Sequence, residues 1–137
     1  MTRREVTTRV MRTWLGEDGI LRTVILPGYE IDAKAAEEIW KVHQEILGSR
    51  ALYSFVDARR LSFASCEARA VVRRRQRQRD IRALAVVVGS PVSRLIGSFF
   101  LKLDKPVFPT RLFTDEADAI AWLKHQMAAA TLSDQGG

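Results

Sequence analysis

Leu84 to Leu103 reads LAVVVGSPVSRLIGSFFLKL. Leu84 to Val88 is an unbroken apolar run, the pattern of a strand covered on both faces. Gly89 ends it, Ser90 is placed to cap a helix, and Pro91 falls at the first helical position, where its missing N–H costs nothing. Val92, Leu95, Ile96, Phe99, Phe100 and Leu103 then recur at helical spacing and make one wide apolar stripe. A strand that feeds a helix in this way is half of a parallel β-α-β unit, and the remainder of the chain must pack around it.

The flanking sequence alternates in the same manner. Residues 1–5 read as a frayed leader, Val6 to Leu15 as a strand and Ile20 to Leu26 as a second strand. The Gly16-Glu17-Asp18-Gly19 turn between them makes the pair an antiparallel hairpin. Asp32 is an N-cap for a helix from Ala33 to about Leu47, which Gly48 ends. Leu52 to Val56 is a third strand, followed by Asp57 and the loop ARRLSFAS. A helix is predicted from Cys66 to about Arg79. Beyond the central unit, Thr110 to Phe113 is a short last strand, and Thr114 caps a final helix from Asp115 to about Met127. The predicted order is β-β-α-β-α-β-α-β-α: an α/β sandwich with one mixed sheet of about five strands and about four helices. Its last three strands are parallel, and its hairpin lies to one side.

Composition bounds the class. A length of 137 residues predicts a single domain, with a core from about 7 to 127 and flexible tails at 1–5 and 129–137. An apolar share of 47% and a charged share of 28% are those of a globular protein and exclude a disordered one. No apolar run approaches the roughly 20 residues that a membrane-spanning helix needs. The N-terminus lacks the apolar segment of a secretory signal. One cysteine, Cys66, excludes an internal disulfide and a multi-cysteine zinc site, and the expected compartment is the reducing cytoplasm. The net charge of +6 favours anionic partners, and seven arginines between Arg69 and Arg82 concentrate the excess.

Three stretches carry a resemblance to a known family: SFVDARRLSFAS, VVVGSPVSRLIG and the ending PTRLFTDEADAIAWL. Together they resemble the STAS domain, the fold of bacterial anti-sigma-factor antagonists. VGSPVSRLIGSFFLKL with KPVFPTRLFTDEADAIAWL is similar, more narrowly, to a group of small uncharacterised bacterial STAS-like proteins. The resemblance spans roughly residues 7 to 127. It implies a non-enzymatic regulatory module that works by protein–protein contact. In the antagonists a phosphorylatable serine opens the helix after the third strand, in an Asp-Ser-Ser-Gly type turn. Laid on this chain, that turn falls on Ser65-Cys66-Glu67-Ala68. Glu67 then stands at the phosphoserine position and Ser65 at the aspartate. Ser62 and Ser65 are the hydroxyls that could substitute. Glu67 would be a fixed negative charge at a helix N-terminus, where phosphate is transient in the family.

The candidate sites each have a plainer reading. Asp57, Ser62, Ser65, Cys66 and Glu67 form the candidate switch turn; the plainer reading makes Ser65 an N-cap worth about 1 kcal/mol. Arg73, Arg74 and Arg77 form a candidate basic contact surface, or else a solvated face paired with acids such as Glu37 and Glu38. The lack of interleaved aromatics argues against a nucleic-acid role. Ser90, Ser93, Arg94 and Arg111 form a candidate anion site at a helix start, in place of ordinary capping. The spacing of its glycines fits neither a Walker A loop nor a dinucleotide fingerprint. His43 and His125 have no second ligand or base at useful spacing, and His43 reads as a half-buried packing residue. No metal and no cofactor are expected.

The leading expectation is therefore an interaction module with a protein partner, and a homodimer. The alternative is a small-molecule binder that holds a nucleotide or an apolar ligand near Ser90 and the Phe99–Phe100 helix. An enzyme is not expected.

Overall fold

The computed structural model describes residues 5–104 and 106–136. The chain runs through β1 (Glu5–Thr7), β2 (Met11–Leu15), β3 (Ile20–Ile25), α1 (Ala33–Leu47), β4 (Leu52–Asp57), α2 (Cys66–Gln76), β5 (Ile81–Val87), α3 (Pro91–Asp104), β6 (Thr110–Phe113) and α4 (Glu116–Gly136). All six strands lie in one sheet, in the order in which the chain makes them. β1, β2 and β3 are antiparallel neighbours; β3 through β6 are parallel. The mixed α/β sheet is the one the sequence predicts, with one strand more. The predicted strand from Val6 to Leu15 is two strands, because the chain turns between them. Thr8 Oγ1 accepts from the backbone N–H groups of Val10 and Met11, and Thr8 N–H donates to the Met11 carbonyl at 2.8 Å.

Local chemistry sets the ends of the elements. Asp18 in the β2–β3 turn holds Arg22 through two hydrogen bonds of 2.9 and 2.8 Å, and Gly19 supplies the positive φ of 84°. The Asp32 carboxylate accepts from Ala35 N–H at 2.8 Å to begin α1, and Gly48 closes it at φ 58°. Ser65 Oγ accepts from Ala68 N–H at 3.0 Å to begin α2. α4 continues past Met127 to Gly136, beyond the predicted end. Ala128, Ala129 and Ala130 are strong helix formers, and no glycine or proline interrupts before Gly136.

The two faces of the sheet are covered unequally. Leu21, Thr23 and Ile25 of β3, Leu52, Ser54 and Val56 of β4, and Leu84 and Val86 of β5 face the layer of α1 and α2. α3 meets the sheet on this side too: Gly97 lies over Leu112, and a Cβ at Gly97 would come within 2.7 Å of Leu112 Cδ1. On the opposite face Ile20, Phe55, Ala83, Ala85 and Val87 pack against Ala119 and Leu123 of α4. The small alanines of β5 let α4 approach the sheet closely, and Phe55 fills the space beside them.

Leu123 is fully buried in this layer, whereas Leu132 on the same helix is exposed. Leu123→Ala is expected to destabilise the protein by about 2–5 kcal/mol and Leu132→Ala by less than about 0.5 kcal/mol. Urea unfolding of the two variants measures the difference; equal losses would mean that α4 is not docked through Leu123.

Candidate functional site

The carboxyl ends of β3, β4 and β5 carry the turn in which the sequence places a switch. Asp57 ends β4 and is buried; its carboxylate accepts from Arg59 N–H at 3.1 Å, Arg59 Nε–H at 2.9 Å and Arg59 Nη2–H at 2.7 Å. These Arg59 bonds hold the Asp57 carboxyl below its usual pKa. Arg59 Nη2 also lies 3.9 Å from Glu116 at the start of α4. Asp57 thus fixes the loop that follows it. Ser62 is exposed in that loop, and Ser65 is the N-cap of α2. Cys66 and Glu67 are exposed in the first turn, with Cys66 Sγ 3.6 Å from Arg69 Nη2.

This loop is tied to its neighbour by the backbone. Ile31 N–H donates to the Phe63 carbonyl at 2.9 Å, and Ser65 N–H donates to the Ile31 carbonyl at 3.0 Å. The pairing makes a short parallel bridge between Ile31 and Ala64. Three large apolar side chains of the two loops are exposed, Phe63 at 54%, Tyr29 at 52% and Leu61 at 39%. Arg9 lies over the Tyr29 ring at 5.8 Å, and Leu61 also lines the space between the helices and the sheet. The hydroxyls of this turn do not mark this surface; its sequence signal is Tyr29 and Phe63, each an aromatic residue in a loop after a strand.

The arginines of α2 divide by their partners. Glu37 on α1 accepts from Arg74 Nη2 at 2.7 Å and from Arg75 Nη2 and Nε at 2.7 and 3.0 Å. The Arg75 and Arg74 hydrogen bonds hold the Glu37 carboxyl below its usual pKa. These contacts strap α2 to α1. Arg79 lies on the Trp40 ring at 5.0 Å and donates Nη2 to Gln44 Oε1 at 2.8 Å. Arg77, which ends α2, is exposed, and Arg73 is half-buried.

The candidate anion residues do not form one group. The Ser90 carbonyl accepts Arg94 N–H at 2.9 Å at the start of α3, and Arg94 is exposed. Arg111 points to the other face of the sheet, its guanidinium 5.3 Å from the Phe113 ring, which itself packs on Trp122 of α4. The side chains of Ser93, Phe99 and Phe100 lie outside the described residues.

A line of polar groups crosses the sheet beneath α1. Thr13 Oγ1 donates to the Arg22 carbonyl at 2.8 Å. Its one hydrogen is thereby used, and it accepts from Thr23 Oγ1 at 3.1 Å. Thr23 must then accept from His43 Nε2, 3.1 Å away. The ring is therefore the Nε2–H tautomer, with Nδ1 an acceptor. Burial, with the nearby Arg79 charge, lowers the His43 pKa to about 4, and the imidazole is neutral at pH 7. Register brings these residues together from positions ten and twenty apart in the chain, which a sequence pattern does not display.

The fold has a counterpart among known proteins. A family model described as a domain of unknown function (DUF7793) matches residues 13–127. Among curated proteins none matches the chain. A crystal structure of an uncharacterised DUF3478-family protein from Shewanella loihica PV-4, with a SpoIIAA-like fold, is 12% identical and superposes with a TM-score of 0.63. The match covers 89% of this chain and 92% of that one. A protein of unknown function from Arthrobacter sp. FB24 is 30% identical over 82% of this chain and 97% of its own, with a TM-score of 0.32. The fold is SpoIIAA-like, the STAS-type architecture that the three sequence stretches imply.

The depressed pKa of His43 has a definite sign. The unfolded chain takes up a proton at His43 near pH 6.5 and the folded chain only near pH 4. The contribution is present above pH 6.5 and is lost as pH falls between the two values. Lowering pH from 7.5 to 5 should cost the wild type about 2 kcal/mol more than His43→Gln. Asp57, held below the carboxylate range, loses its contribution only at more acid pH and does not obscure this window. Urea unfolding at both pH values provides the measurement; parallel losses in both proteins would show that the ring is not held neutral.

Proposed function

This chain belongs to the DUF7793 family, and on that footing we propose that it is a non-enzymatic regulatory module that binds a protein partner through its β3–α1 and β4–α2 loops. The observation that carries the reading is the platform of Tyr29, Leu61 and Phe63. Large apolar side chains stand exposed on backbone that is hydrogen-bonded in place, so little ordering entropy is lost on docking. Exposed aromatics on a fixed frame are the usual anchors of protein interfaces. Arg77 and Arg73 on α2 extend this surface with positive charge, which favours an acidic rim on the partner. Glu67 supplies a constant negative charge at the start of the same helix, so that docking at this turn needs no phosphorylation.

The ionisable side chains support the same reading, because the shifted ones serve structure. Asp57 is held by Arg59, Asp18 by Arg22, Glu37 by two arginines and His43 by Thr23. Among the described residues no cluster of His, Cys, Asp and Glu is placed to hold a metal ion, and no helix is long and apolar enough to cross a membrane. The module is proposed to act in the cytoplasm, where the exposed Cys66 thiol stays reduced, and as a homodimer.

Tagged protein cross-linked in its own host should recover a partner, and Phe63→Asp should reduce recovery about tenfold with the melting temperature unchanged. Arg77→Glu should weaken capture and reduce its salt dependence. Recovery unaffected by Phe63→Asp in a folded protein would remove the loops as the contact. A light-scattering mass of one chain at micromolar concentration would remove the homodimer.

A further inference from the structure

We propose that the space between α2 and the sheet is a binding site for a small, uncharged, mainly apolar molecule with one hydrogen-bonding group, which Ser54 meets. The cavity has a volume of about 320 Å³ and is walled almost wholly by hydrocarbon, with Val56 and Val86 on the sheet side and Ile39, Trp40 and Val71 on the helix side. It exists because α2 leans on α1. The side chains that α2 buries are Ala68 and Val71, which are too short to fill the distance to β4 and β5. The volume lies within the range of small-molecule sites, about 300–1,000 Å³. It equals about ten water volumes at roughly 30 Å³ each, room for a body of about that many carbon-sized groups.

Ser54 on the sheet side, with Gln76 on the helix side, gives the site its polarity. Ser54 is 6% exposed, in the middle of β4 between Leu21 and Leu84, and it lines the cavity. Thr13 and Thr23, the other buried hydroxyls of this face, have partners. Among the described residues the buried side-chain atoms without a partner are Nε and Nη1 of Arg79, not Ser54 Oγ. The Ser54 hydroxyl opens to the cavity, where it can meet a polar atom of a bound molecule. The occupant is uncharged because the walls offer no counterion. Arg75, the cation on the wall, is held by Glu37 through two hydrogen bonds. The His43 ring, also on the wall, is neutral, with its Nε2–H given to Thr23. A carboxylate would enter an apolar space against the cost of losing its hydration.

The test uses 1-octanol, octane and octanoate as probes of the whole protein, followed by calorimetry and by NMR of the methyl groups of Val56 and Val86. Octanol should bind saturably, shift both methyl signals and bind at least about fivefold tighter than octane or octanoate. Ser54→Ala should remove the advantage of octanol over octane and leave octane unchanged. Ser54→Ile, which fills the space from the sheet side, should abolish binding of both. Failure of all three probes to bind saturably would overturn the site. Tighter binding of octanoate would overturn the uncharged class, and an octanol preference that survives Ser54→Ala would overturn the role of Ser54. None of these readings involves a protein partner, so the result stands apart from that of the loop variants.

Discussion

A strand that returns parallel to its neighbour must cross over, and the crossover is right-handed. In this chain every parallel step goes to the next strand in the same direction, from β3 to β4 to β5 to β6. Three right-handed steps in one direction place α1, α2 and α3 on one face. α4 follows the last strand and is free of that constraint, so it covers the other face, where Ala83 and Ala85 admit it closely. The antiparallel strands β1 and β2 carry no crossover helix, and the outer side of β2 shows solvent an Arg12 stacked on Trp14 at 5.3 Å.

Crowding three helices on one face determines how α2 is held. It is supported sideways, by Ala68 and Val71 in one cluster with Ile31, Ala35 and Ala36 and by the more exposed Glu37 contacts of Arg74 and Arg75, more than from beneath. Much of the arginine run is therefore structural. The surface left for a partner is its outer side, together with the two loops joined by the Ile31–Ala64 bridge. The same arrangement leaves the space over Ser54. Both proposed contacts, with a protein and with a small molecule, follow from one helix that does not reach the sheet.

The sequence displays most of this framework because its signals are local. Asp32 and Gly48 bound α1, Ser65 opens α2, and Gly89-Ser90-Pro91 marks the passage from β5 to α3; each acts within a few residues. β1 was less legible, since Thr8 and Arg9 differ little in composition from the strands they separate, and the turn depends on where a threonine hydroxyl points. The site was less legible again. Thr23, His43 and Ser54 are ordinary residues in their own segments, and their meeting depends on register and on the gap beneath α2. Arg111 shows the reverse: near α3 in sequence, it falls on the far face because strand residues alternate sides.

The shallow burial of α2 also has a dynamic meaning. Segments of a folded protein open with separate free energies, and those with few buried apolar contacts open most readily. α4 is anchored by Ala119 and Leu123 in the sheet core, whereas α2 is anchored by Ala68 and Val71 at the margin of a cavity. The backbone amides of α2 are therefore the earlier of the two sets to exchange with solvent. The chain keeps a rigid sheet and, on one side of it, a helix that can lift without unfolding the rest.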